Sequence, residues 1–160
     1  MRPSLLLLLR ALILLIAVGA LFAQIRLVPF IATGLAEDSG HAAAGVPYAV
    51  AGITVIACGE LALLAMWVLL SQVRRGAIFS GTALRWVDVI LGAAVAATII
   101  LLAVGIHVAF VLEPPLDAPG LTAIAGGLVV CAGAFALLMY VMRGLLRSAT
   151  TLQAELSEVV

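Results

Sequence analysis

Four long apolar runs, three polar breaks between them and a polar tail set the pattern of this chain. The runs cover about residues 5–25, 47–70, 89–112 and 120–142. Each is close to the length that crosses ~30 Å of hydrocarbon as an α-helix. The breaks are residues 26–46, the arginine-bearing loop 71–88 and the proline-rich stretch 113–119. Short connections make successive helices antiparallel neighbours. The pattern therefore predicts an all-α, integral membrane four-helix bundle, folded as a single transmembrane domain over residues 1–160. In the tail, 143–160, Leu145, Ala149, Leu152, Leu156 and Val159 recur at spacings of four, three, four and three. That narrow stripe predicts an amphipathic helix of the coiled-coil type, continuing the fourth span.

The breaks carry their own signals. Pro29, Gly34, Gly40 and Gly45 disfavour helix, so 26–46 reads as a solvated loop, with a short reentrant or interfacial piece at 27–35 as the alternative. Pro47 suits a first helical turn, where its missing N–H costs nothing. Arg74, Arg75 and Gly76 are expected to end the second helix, and Ser80 or Thr82 to cap the third. Pro114, Pro115 and Pro119 predict a turn rather than helix. The first run has the basic start of a signal peptide. Cleavage after Ala23 would place the large Leu21 at the −3 position, so it reads as an uncleaved span. Arg10, inside that run, is expected to snorkel back to the headgroups.

Composition sharpens the solvent argument. Of the residues, 66% are hydrophobic and 10% charged, whereas a soluble domain is about a quarter charged. The net charge is zero, so no global field draws nucleic acid, and the expected direct partner is the lipid bilayer. All eight basic residues are arginine. Arg2, Arg10, Arg74, Arg75, Arg85, Arg143 and Arg147 fall on one side of the predicted spans, and only Arg26 on the other. By the positive-inside rule, both termini and loop 71–88 are expected in the cytoplasm.

Few residues offer chemistry. Glu60 stands near the middle of the second run, where a charged side chain costs about 2.5–3.5 kcal/mol on insertion scales. It reads either as a proton or cation site or as a polar group hydrogen-bonded to a neighbouring residue such as Thr54, Thr98 or Gln24. His107, in the outer part of the third run, reads as a second intramembrane polar candidate or as a packing residue. The two differ in depth by several residues, which argues against a direct relay. Asp88 and the arginines of loop 71–88 are expected to form a cytoplasmic ion-pair cluster. Gly92 with Ala96, and Ala93 with Ala97, are small pairs suited to close helix contact, as are Gly126, Gly127, Cys131 and Gly133 in the fourth run. Cys58 and Cys131 read as packing residues. No catalytic set, metal-ligand spacing or phosphate-binding glycine loop is present, so no enzyme activity, cofactor or metal is expected.

One motif is distinctive. Arg75-Gly76-Ala77-Ile78-Phe79-Ser80, followed by Leu84-Arg85-Trp86-Val87-Asp88-Val89-Ile90, resembles the central motif of a bacterial membrane family known as domain of unknown function 2975. Leu21-Phe22-Ala23-Gln24, Met142-Arg143-Gly144-Leu145-Leu146 and Gln153-Ala154-Glu155-Leu156 are similar to its actinobacterial members. The resemblance implies a four-span protein of the bacterial inner membrane, encoded beside a small helix-turn-helix regulator, and it brings no catalytic residues. The leading expectation is a non-enzymatic sensor or anchor. Its cytoplasmic partner surface would include Arg74, Arg75, Phe79, Arg85, Asp88, Leu145, Leu152 and Leu156. The tail stripe fits self-association as well. Two alternatives are a small proton-coupled carrier using Glu60 and an accessory subunit of a membrane complex.

Overall fold

The computed structural model describes residues 3–74 and 81–158, with side chains from 6 to 72 and from 84 to 152. The first span is α1 (Pro3–Phe22), a π-helical turn (Ala23–Leu27) and α2 (Val28–Asp38). A 3-10 turn (Ala42–Ala44) leads into α3 (Gly45–Arg74), the second span. The third is α4 (Gly81–His107), a second π-helical turn (Val108–Leu112) and the short α5 (Glu113–Leu116). The fourth is α6 (Pro119–Glu158). The apolar helical stretches Leu6–Asp38, Ala42–Gln72, Leu84–Leu116 and Pro119–Leu152 are each long and apolar enough to cross a membrane. The chain is a multi-pass membrane protein with an all-α four-helix bundle.

These stretches hold 31 to 34 residues, or roughly 45–50 Å of helix at 1.5 Å per residue. That exceeds the hydrocarbon thickness, so the helices must tilt or project. In the first and third stretches the excess comes from the proline-bearing breaks, where the structure corrects the sequence reading. Residues 27–38 are helix continuous with α1, neither a solvated loop nor a reentrant piece, and Pro114 and Pro115 lie within helix as well. The physical reason is the same at each place. A proline inside a helix removes one N–H and crowds the carbonyl four residues back. Here each proline follows a π-helical turn, in which Val28 N–H donates to Ala23 O and Glu113 N–H to Val108 O. These bonds reach back five residues, so the widened turn pairs backbone groups on a register the proline does not block. Lipid offers no water to satisfy freed groups, which favours such a repair over a break.

The true turns are short. Ser39 N–H donates to Leu35 O at 3.1 Å and His41 N–H to Ala36 O at 2.8 Å, closing the first around Gly40 with φ +75°. Asp117, at φ +46°, turns the chain between α5 and α6.

Packing follows chain order: the first span lies against α3, α3 against α4, and α4 against α6. Much of the buried set is small, with Ala32, Ala36, Ala65, Ala93, Ala94 and Ala136 prominent, while Leu112 is the largest side chain fully enclosed. Small residues let backbones approach, and dispersion then does what burial from water does in a soluble core. A Cβ added at Gly52 would stand 2.7 Å from Val28 Cγ1, so the contact between α2 and α3 depends on that glycine. A Cβ at Gly105 would meet Ala125 and Val129, and one at Gly133 would meet Thr98, only at the ordinary contact distance of 3.8 Å. Of the two predicted small pairs on α4, Ala93 is buried and Ala97 half-buried, whereas Gly92 and Ala96 face outward. Gly126, Gly127 and Cys131 are exposed too, so on α6 it is Gly133 that meets a neighbour.

Candidate functional site

Glu60 lies on α3 facing α1. Gln24 Nε2 donates to Glu60 Oε2 at 3.1 Å and approaches Ile53 O at 3.5 Å. Gln24 belongs to the first π-helical turn, a local distortion that often accompanies function. Of the three partners the sequence offered, Gln24 is the one used. Thr54 donates back to Val50 O at 2.7 Å and Thr98 to Ala94 O at 2.8 Å, each within its own helix. Glu60 Oε1 is buried and has no hydrogen-bond partner. The carboxyl group is thus half satisfied, by a neutral amide.

Below Glu60 runs a groove of about 330 Å³ between α1 and α3, walled by Ile13, Ala17, Leu21, Leu63 and Trp67 among others. Leu64 and Trp67, four and seven residues from Glu60, share this face of α3. Arg10 has a partner on α3. Its guanidinium carbon lies 5.0 Å from the centre of the Trp67 ring, in cation–π contact, and its Nε is buried without a partner. Stacking on an indole face compensates part of the cost of a cation away from water.

His107 is the last residue of α4, just before the second π-helical turn. Its Nδ1 shares a hydrogen bond with the Tyr48 hydroxyl, whose direction follows the imidazole tautomer. The two rings meet edge to face with centroids 5.6 Å apart. His107 and Glu60 are not brought together. Tyr48 was missed in the sequence, although antiparallel pairing of the start of α3 with the end of α4 would have pointed to it. A cavity of about 410 Å³ lies beside Tyr48 among apolar residues of α2, α3, α4 and α6.

At the opposite end of the bundle, Asp88 on α4 pairs with Arg143 on α6, through Nε and, at 3.3 Å, Nη2. Arg143 is a partner beyond the loop arginines to which the sequence pointed. Residues 88 and 143 are far apart in sequence, but the packing of α4 against α6 brings them together. Arg85 is exposed. Arg75 and Phe79 lie outside the described residues, as do the side chains of Arg74 and Leu156. On α6, Leu145 and Leu152 are 62% and 60% exposed. Glu113 accepts a hydrogen bond from Thr122 across the last turn. Cys58 and Cys131 are free thiols. Among the described residues, no three His, Cys, Asp or Glu side chains converge as a metal site requires.

The arrangement therefore offers one mid-membrane acid beside an apolar groove, one aromatic–imidazole pair near the other turn, and one protruding helix. No curated protein and no solved structure matches the chain. The match to a family model runs over residues 30–160, leaving Leu21–Gln24 outside it, and on that match the chain belongs to the family described as "Protein of unknown function (DUF2975)".

Proposed function

We propose that this chain is a non-enzymatic sensor or anchor of the bacterial inner membrane, with both termini and loop 71–88 in the cytoplasm. Its C-terminal helix recruits a small helix-turn-helix regulator. The carrying observation is α6, which is a single helix of 40 residues. At 1.5 Å per residue that is roughly 60 Å, about twice the hydrocarbon thickness. The second half must leave the lipid, and it carries the exposed Leu145 and Leu152 of the apolar stripe. In water such a stripe is stabilised by a partner helix or groove. The class of partner comes from the family resemblance, and the arginine count supports the cytoplasmic orientation.

Deletion of Leu145 to Val160 is the test. The regulator should leave the membrane fraction while the truncated chain stays in it. Unchanged retention of the regulator would overturn the reading. Disulfide cross-linking of Leu152→Cys, with Cys58 and Cys131 replaced by serine, distinguishes a partner from a second copy. A reporter fused after Val160 that reads as external would refute the orientation.

A specific observation favours a second reading. The unpartnered Glu60 Oε1 suits a small proton-coupled carrier, for which Glu60→Gln abolishes transport while leaving recruitment by the tail untouched. An accessory role in a larger membrane complex predicts instead that a complex co-purifies in mild detergent.

A further inference from the structure

We infer that the groove between α1 and α3 is a binding site for a small lipophilic cation taken up from the membrane, with Glu60 as its counter-ion. Three observations meet there. Glu60 lines the groove and keeps one buried carboxyl oxygen without a donor. Its single hydrogen-bond donor, Gln24 at 3.1 Å, is neutral. A carboxylate in hydrocarbon is stable only when its charge is paired or neutralised, so a cationic head on the groove side of the Glu60 carboxylate completes what Gln24 begins. The walls are apolar, drawn from Ile13, Ala17 and Leu21 on one side and Leu63 on the other, which suits an apolar body.

Size and access narrow the ligand. About 330 Å³ is at the small end of ligand pockets, large enough for a compact organic cation and too small for a phospholipid. The exposed flanks of Leu14, Leu21 and Leu64 open the groove laterally to lipid. Arg10, stacked on Trp67 two helical turns from Glu60, sets the orientation. It repels a cation at that end, so the charged head is directed to Glu60, with the body along Leu63 and Ile13. This gives the carrier reading a substrate class but does not depend on transport. Binding measured without a gradient reports the site alone.

The test uses the full chain in lipid nanodiscs and radiolabelled phenethylammonium, a compact cation with an ammonium head and an apolar body, by equilibrium dialysis against empty nanodiscs. Saturable binding of one cation per chain is expected. Glu60→Gln can still accept from Gln24, so the helix pair should persist while affinity falls at least tenfold. Ala17→Phe, which narrows the groove with Glu60 intact, should weaken binding by a similar factor. Binding by the wild type no greater than by empty nanodiscs would overturn the inference, as would equal affinity in Glu60→Gln. Should Glu60→Gln fail to fold, full binding by folded Ala17→Phe would overturn it equally.

Discussion

The contact of Gly52 with Val28 offers the sharpest test of how this bundle is held. A methyl group at residue 52 would lie 2.7 Å from Val28 Cγ1, a separation that nonbonded carbons do not adopt. It would lie 3.8 Å from Cγ2 and 3.9 Å from Cβ, which are ordinary contacts. The clash is thus confined to one methyl group. Overpacking a close contact costs about 1–3 kcal/mol, and Gly52→Ala should destabilise the chain by that order despite its better helix propensity, which contributes roughly 1 kcal/mol the other way. Val28→Ala removes both γ-carbons and leaves only Cβ at its tolerable distance. The double variant should therefore recover most of what Gly52→Ala loses. Unfolding in mild detergent can be followed by labelling of Cys58 with a thiol-reactive dye, in a background where the exposed Cys131 is serine. A double variant as unstable as the sum of its parents would refute the argument, because independent sites add and touching ones do not.

Other outcomes follow from the same geometry. Tyr48→Phe keeps the ring against His107 and removes its hydroxyl, so it should cost about 0.5–1.5 kcal/mol. His107→Phe should cost a comparable amount, and the pair together little more than either alone. Asp88→Ala breaks an ion pair whose partners are both exposed. Exposed pairs contribute little, so the unfolding midpoint should not move measurably. Gly40→Val forces a β-branched residue into φ +75° and should cost about 1–2 kcal/mol, read by the same dye assay.

What the sequence made legible is what lipid imposes on composition. The number of helices and the continuation of the fourth beyond the span followed from run lengths and from the stripe through Leu145 and Leu152. Which face of each helix meets its neighbours was far less legible. In a soluble protein, polar residues mark the outside. Here the outside is apolar as well, and Phe30 and Phe110 are 77% and 78% exposed. Gly92–Ala96 and Ala93–Ala97 look equivalent on paper, yet only the second packs inward. Polar residues were better guides because each needs a partner. Glu60 pointed to Gln24 among three choices. Asp88 pointed to an arginine, but Arg143 on α6 was not foreseen, since the distance between helices, unlike the distance along the chain, is not written in spacing. Arg10 has a partner that the sequence did not show, Trp67 on α3.

The proline-bearing helices show how a local rule is overruled, and they yield a strong prediction. If the π-helical turn Ala23–Leu27 is present because Pro29 follows it, then the two features are coupled. Deleting Ile25 removes the extra residue that the wide turn accommodates, and α-helical bonding becomes continuous from α1 into α2. Pro29 would then sit in an ordinary helix interior, opposite a carbonyl it cannot pair, at a cost of about 3 kcal/mol. Pro29→Ala in the same chain restores the donor and should restore most of the stability. Because the deletion removes only the excess residue, Arg10 should remain over Trp67. Deleting Ile16, within regular α1, should instead rotate the helix start by about 100° and release Arg10 from the ring, with a change in Trp67 fluorescence in a Trp86→Phe background. If deletion of Ile25 is harmless with Pro29 in place, or is not rescued by Pro29→Ala, the π-helical turn has another cause. The explanation for why prolines failed to break these spans would then have to be abandoned.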